Sequence, residues 1–199
     1  MKVIKKKTCW SDYYTQQAKN DKYPSRSVYK LKEIQKKYNF IKKKHRVLDL
    51  GCSPGSWLLY TAEMVGETGY VIGIDLKPVD LVLPKNVCIF TSNVVFFNKI
   101  FTEQIGIKFN SVISDMAPST TGNKVVDNAR SFELCSIALK LTNIVLTKGG
   151  SFICKIFHGN DLKKITNSVK KQFKKQVLFR PKSTRKNSRE IYIIGLNKL

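Results

Sequence analysis

Acidic side chains are scarce in this 199-residue chain: 14 Asp and Glu stand against 36 Lys and Arg, a formal net charge of +22. Cysteine is equally sparse and poorly spaced for cross-linking or chelation. The five cysteines (Cys9, Cys52, Cys88, Cys135, Cys154) are odd in number and form no C-x-x-C pair, and there are only two histidines, His45 and His158. That excludes a disulfide framework and leaves no zinc-ligand spacing. No uninterrupted run of about 18 apolar residues occurs, and Met1 to Trp10 lacks the apolar stretch of a signal-peptide core. The expectation is a soluble intracellular protein with reduced thiols, no metal site and no membrane partner.

What is present suits a single folded domain, 1–199. Hydrophobic residues make up 42% of the chain, and at this length one core buries roughly 70% of the surface of the unfolded chain. The charge is unevenly placed. Residues 1–46 hold 15 basic and 3 acidic side chains, residues 47–154 hold 8 and 9, and residues 155–199 hold 13 and 2. Charge runs are often only solvated helix faces. Two distant basic segments around a neutral centre, however, make a stripe suited to a polyanion if the fold brings them together, and nucleic acid is the expected partner.

The patterning predicts helices over Asp12 to Asn20 and Ser25 to Tyr38, the second behind a Ser25 cap, which together make 1–46 a basic helical extension. From residue 47 strands alternate with helices. Strands are expected at Val47 to Leu50, Tyr70 to Ile74, Val87 to Phe90, Ser111 to Ser114 and Ser151 to Phe157. Helices are expected at Trp57 to Val65, Phe97 to Ile105, Ala129 to Leu146 and Leu162 to Phe173. Val177 to Arg180 and Glu190 to Leu196 read as a closing antiparallel pair. This is α/β order: a mostly parallel sheet with helices on both faces and a hairpin edge.

Leu48-Asp49-Leu50-Gly51-Cys52-Ser53-Pro54-Gly55-Ser56-Trp57 turns from strand to helix at the carboxyl end of the first strand, where open α/β sheets bind ligands. As a dinucleotide fingerprint it fails, because Ser53 stands where a second glycine should meet the pyrophosphate; NAD and FAD are disfavoured. The same residues spell G-x-S-x-G, with Asp115 and His158 following in hydrolase order. The residue after that serine is Pro54, which has no N–H for an oxyanion hole, so the hydrolase reading fails too. A nucleoside ligand without a pyrophosphate remains, with Asp75 placed to accept from ribose hydroxyls. S-adenosylmethionine meets that description, although Asp75 could also be a turn carboxylate ahead of Pro78.

Five segments together are more specific: Arg26-Ser27-Val28-Tyr29-Lys30-Leu31-Lys32-Glu33-Ile34, the glycine loop, Ser114-Asp115-Met116-Ala117-Pro118, Gly149 to Phe157, and Ser188-Arg189-Glu190-Ile191-Tyr192. In this order, from Ser11 to Leu196, the chain resembles the FtsJ/RrmJ family of S-adenosylmethionine-dependent RNA ribose 2′-O-methyltransferases, in particular its ribosomal RNA branch. The resemblance implies a Rossmann-like methyltransferase fold and a catalytic Lys, Asp, Lys, Glu set that falls on Lys30, Asp115, Lys155 and Glu190. It implies cofactor contacts at Gly55 and Trp57 in the loop, at Asp75 and at Asp115; Gly51, Ser53 and Pro54 of the same loop are expected to lie against the cofactor as well. Where the family commonly has an Asp beside the adenine amino group, this chain has Asn93, whose carbonyl can still accept.

Methyl transfer from a sulfonium needs alignment and help for a ribose hydroxyl that is a poor nucleophile while it keeps its proton. Lys155, at the carboxyl end of an apolar strand, is the candidate base, with Lys30 as neighbouring charge, Asp115 as orienter and Glu190 steadying Lys30 or the ribose. A charged Lys155 that only positions the hydroxyl is the alternative. Lys5 to Lys7, Lys36, Lys37, Lys42 to Lys44 and the run Lys163 to Lys186 would meet phosphates, and Tyr13, Tyr14 and Tyr29 could stack on bases. Large-subunit ribosomal RNA is the expected substrate, bare or in an assembled subunit, for a monomeric enzyme. Transfer RNA, a messenger cap, or a non-catalytic role as a ribosome-assembly factor are the competing readings.

Overall fold

The computed structural model describes residues 13–96 and 106–199. The helix expected at Phe97 to Ile105, Lys5 to Lys7, Cys9 and the start of the first helix lie outside the described residues. The chain runs α1 (Tyr13–Asn20), α2 (Val28–Tyr38), β1 (Arg46–Leu50), α3 (Ser56–Val65), β2 (Tyr70–Asp75), β3 (Val87–Thr91), β4 (Phe109–Ser114), α4 (Lys124–Val145), β5 (Leu146–Phe157), α5 (Leu162–Lys170), β6 (Phe173–Phe179) and β7 (Glu190–Lys198).

The seven strands are ordered β3-β2-β1-β4-β5-β7-β6; the first five run parallel, and β7 is antiparallel to both its neighbours. Strand order reverses between β1 and β4, and at such a switch point loops diverge and leave a crevice beyond the carboxyl ends of the strands. Because strand side chains alternate, each strand feeds two cores. On one face Val47, Val71, Ile113, Ile153, Tyr192 and Ile194 pack with α2 and α3. On the other Leu48, Ile72, Val112, Cys154 and Ile193 pack with α4 and α5. Among the described residues no helix is long and apolar enough to cross a membrane.

Several elements differ from the sequence reading; β5 already begins at Leu146 rather than Ser151, and β6 at Phe173 rather than Val177. α4 starts at Lys124 rather than Ala129, because the Asn123 side-chain oxygen caps it, accepting from Val125 N (3.0 Å) and Val126 N (3.4 Å). Phe173 leaves the helix for β6, where its ring covers Gly195 and stacks on Phe152. Ser25 does not cap α2. Ser27 holds the cap position without a side-chain cap bond, while Ser25 N donates to Ser56 Oγ on α3 (2.8 Å).

The Ser25 contact helps fix the start of α2 against α3. There Trp57 Nε1 donates to Ser27 O (3.0 Å). At the end of α2 the buried Gln35 amide is fully used: Oε1 accepts from Phe40 N and Ile41 N, and Nε2 donates to Ile41 O (2.7 Å) and Asn39 Oδ1 (3.4 Å). Leu31 and Ile34 are fully buried in the core that holds Val47 and Tyr192. The helix carrying Lys30 is therefore braced at both ends and along its length.

Candidate active site

Cross-strand register gathers the site. Lys155 faces Tyr192 and Phe157 faces Glu190 in the β5–β7 ladder. Directly paired residues, and residues two apart on one strand, project from the same face. Lys155, Tyr192 and Glu190 thus point toward α2, and Asp115, one residue beyond β4, reaches the same spot. Lys155 Nζ lies 2.9 Å from Asp115 Oδ1 and also donates to the Asp115 backbone carbonyl. Lys30 Nζ pairs with Glu190 Oε1. The structure therefore brings together all four residues of the expected set as two lysine–carboxylate pairs, each shielded from solvent.

Electrostatics couple the pairs. Burial alone pushes the Asp115 carboxyl up. The Lys155 and Lys30 cations, with hydrogen bonds from Tyr192 and Lys155, outweigh it and hold that carboxyl below the usual carboxylate range. Tyr192 OH donates to Asp115 Oδ1 at 2.7 Å. Burial, with the nearby Asp115 and Glu190 charges, pushes its phenol well up, so it remains a donor. Sequence reasoning overlooked this tyrosine. Its two-residue offset from Glu190 was visible; its pairing with Lys155 required the register.

Asp115 also lines a cavity of about 700 Å³ at the switch point, together with Gly51, Ser53, Pro54, Asp75 and Asn93. A Cβ at Gly51 (φ +79°) would sit 2.6 Å from Met116 Cγ, so the turn needs glycine there. Asp75 accepts from Ser53 N and Lys77 N, both at 2.9 Å; a carboxylate has about four acceptor sites, leaving room for two ribose hydroxyls. Asn93 Oδ1 accepts from Val95 N (3.0 Å), with a second lone pair to spare. An adenosyl group fits the chemistry of this set, which offers a carboxylate with open acceptor sites, an amide oxygen with a spare lone pair and the Asp115 carboxylate. Gly55 and Trp57 do not line the cavity. Gly55 faces Leu81 and Val79, and the Trp57 ring is buried 6.0 Å from Tyr192.

A second carboxylate went unnoticed in the sequence. Asp49, the one acidic residue in β1, is fully buried and neither oxygen has a hydrogen-bond partner among the described residues. Burial, then the Asp115 and Asp75 charges, push its carboxyl well up.

Comparison with known proteins identifies the family. The ribosomal RNA large subunit methyltransferase E of Desulforapulum autotrophicum is 52% identical over 193 residues, 97% of this chain and 95% of that one. The protein of the same name from Bdellovibrio bacteriovorus is 45% identical over 190 residues, 94% and 96% of the two chains. A crystal structure from Plasmodium falciparum, assigned as a ribosomal RNA methyltransferase, superposes with a TM-score of 0.76 at 31% identity, covering 89% of this chain and 99% of the other. The fold alone is shared with Aeropyrum pernix fibrillarin, solved with natively bound S-adenosylmethionine, at a TM-score of 0.61 and 16% identity over 79% of this chain and 68% of that one. Residues 23–198 match the FtsJ-like methyltransferase family, and with relatives of this identity along nearly its whole length, the chain belongs to that family.

Proposed function

We propose that this methyltransferase transfers a methyl group from S-adenosylmethionine to a ribose 2′-hydroxyl of large-subunit ribosomal RNA, with Lys155 taking the hydroxyl proton. The substrate RNA is read from the names of the relatives. The observation that carries the chemistry is the pair of contacts from Lys155 Nζ to the carbonyl and carboxylate oxygens of Asp115. As the cation of the Asp115 pair Lys155 has three N–H bonds and no lone pair, so to act as base it must first release one proton to solvent, which leaves two N–H bonds and one lone pair. With both N–H bonds directed at Asp115, the lone pair is left for the incoming hydroxyl.

When bound, S-adenosylmethionine supplies an activated methyl on a sulfonium. The residues of this chain supply alignment and proton transfer. Asp75 and Asn93 hold the nucleoside in the switch-point cavity, and Asp115, common to cavity and ion pair, sets Lys155 against the reacting end. Lys30, held by Glu190, adds positive potential where negative charge develops on the ribose oxygen.

Transfer of tritiated methyl groups to purified ribosomal subunits, and to the RNA extracted from them, tests the proposal. After complete nuclease digestion the label should be found in a 2′-O-methylnucleoside from large-subunit RNA. Label in a base-methylated nucleoside, or in small-subunit RNA alone, would overturn it.

A further inference from the structure

We propose that two adjoining hollows beside α1, separated by Tyr13 and Tyr14, form a track for unpaired nucleotides of the substrate RNA; this rests on the RNA methyltransferase reading above. One hollow, of about 810 Å³, lies between these tyrosines and Phe179, with Lys36, Lys37 and Lys182 on its rim. The other, of about 430 Å³, has the same two tyrosines as one wall and Arg26, Thr184 and Lys186 around it. Both are within the size range of small-ligand sites, about 300–1,000 Å³.

The shared wall is a supported aromatic platform. Tyr13 is 73% exposed and meets Tyr14 edge to face, ring centres 5.3 Å apart. Tyr14 leans on Tyr29 at 5.4 Å, and the Tyr29 hydroxyl donates to Asp21 at 2.8 Å. The Arg26 guanidinium lies 5.4 Å from the centre of the Tyr14 ring. Of the three tyrosines raised from the sequence, Tyr29 is packed into the protein and Tyr13 is the one that presents itself outward.

The opposite wall is held in place rather than floppy. Glu33, the carboxylate in the larger hollow, accepts from Lys182 N (2.6 Å) and Ser183 N (2.8 Å), and Arg26 donates to Ser183 O. Its negative charge is thereby matched by backbone donors. Among the described residues Lys36, Lys182 and Lys186 have no carboxylate partner. An isolated exposed tyrosine signifies little. One standing between two cation-rimmed hollows matches the needs of a single strand, a π-face for a base and cations for the phosphates on either side. A duplex offers no free base face, so the occupant is unpaired RNA.

The larger hollow is lined in part from α2, which carries Lys30 of the catalytic pairs. Tyr29 and Lys30 are neighbours on α2, and Phe179 pairs across strands with Tyr192, which bonds Asp115. Nucleotides seated there would flank the target ribose.

The test uses a fluorescein-labelled single-stranded oligoribonucleotide, the same strand annealed to its complement, and purified large subunits. Tyr13→Ala should weaken single-strand binding about tenfold, leave duplex and S-adenosylmethionine binding unchanged, and raise KM for ribosomal RNA while kcat at saturation holds. Lys36→Ala with Lys182→Ala should flatten the salt dependence of single-strand binding. Tyr13 is exposed, so an unchanged melting temperature is expected. If the wild type methylates RNA while Tyr13→Ala leaves single-strand affinity and KM unchanged, the track is refuted and the activity is not. Equal loss for single strand and duplex would refute stacking. Weakened docking on subunits with normal binding to bare RNA would assign the groove to a protein instead. A wild type that binds the oligonucleotide through Tyr13 yet methylates no RNA would sink the reading of the activity, and with it the track's place beside a target ribose.

Discussion

Lys155 and Tyr192 face each other across the β5–β7 ladder and bond the same oxygen, Asp115 Oδ1, at 2.9 and 2.7 Å. One carboxylate oxygen therefore records the placement of both side chains. The backbone carbonyl of Asp115 takes a further Lys155 bond, so the lysine is located by a residue that also lines the cofactor cavity.

Tyr192→Phe removes one donor from that oxygen and keeps the ring beside Trp57. Asp115 is held low in the folded protein, so its contribution to stability is present above the unfolded carboxylate value and disappears as pH falls through the folded one. Without the tyrosine hydroxyl the folded value rises. Acid unfolding should then begin at higher pH, with about 0.5–1.5 kcal/mol lost at neutral pH and a modest fall in kcat. Denaturant titrations between acid and neutral pH measure this.

Asp115→Ala leaves the Lys155 ammonium with only a backbone carbonyl in a site where the lysine is 7% exposed. Removing one partner of a buried pair costs about 3–5 kcal/mol, and methylation should be abolished. Asp115→Asn keeps an acceptor oxygen and should lose less stability while still losing most activity. Chemical denaturation beside a methylation assay distinguishes the two effects.

Asp49 has the opposite sign. Its raised folded value means that its carboxyl penalises folding increasingly as pH climbs above the unfolded value, until the folded group also ionises. Asp49→Asn, neutral and of the same shape, should raise the melting temperature of the cofactor-free protein, more at pH 8 than at pH 5. An equal change at both pH values would show that Asp49 is not held protonated.

Asn93→Asp puts a carboxylate where the proposed function has an amide holding the nucleoside. A carboxylate makes a stronger hydrogen bond to an amino group than an amide carbonyl does. Calorimetric titration should show S-adenosylmethionine binding about three- to tenfold tighter. Unchanged affinity would place the adenine amino group away from residue 93.

Much of this was legible in the sequence because the determinants are local. Gly51 and Asp75 are fixed by strand-to-loop transitions, and the alternation of apolar strands with helices announced the sheet. Long-range pairing was not legible. Tyr192 matters because it lies opposite Lys155, and register depends on contacts between strands far apart in sequence. Ser25 looked like a helix cap until α3 supplied Ser56 as its partner. Phe173 reads as the end of a helix by periodicity, yet Gly195 on β7 leaves a space that its ring fills.

Lys155→Arg is the most direct test of the central claim, because guanidinium keeps the cation but cannot accept a proton. In single-turnover methyl transfer to large-subunit ribosomal RNA, with RNA and S-adenosylmethionine saturating, the account predicts at least a ~100-fold slower step with both affinities retained. A rate within a few-fold of wild type would contradict it and leave Lys155 a positioning cation.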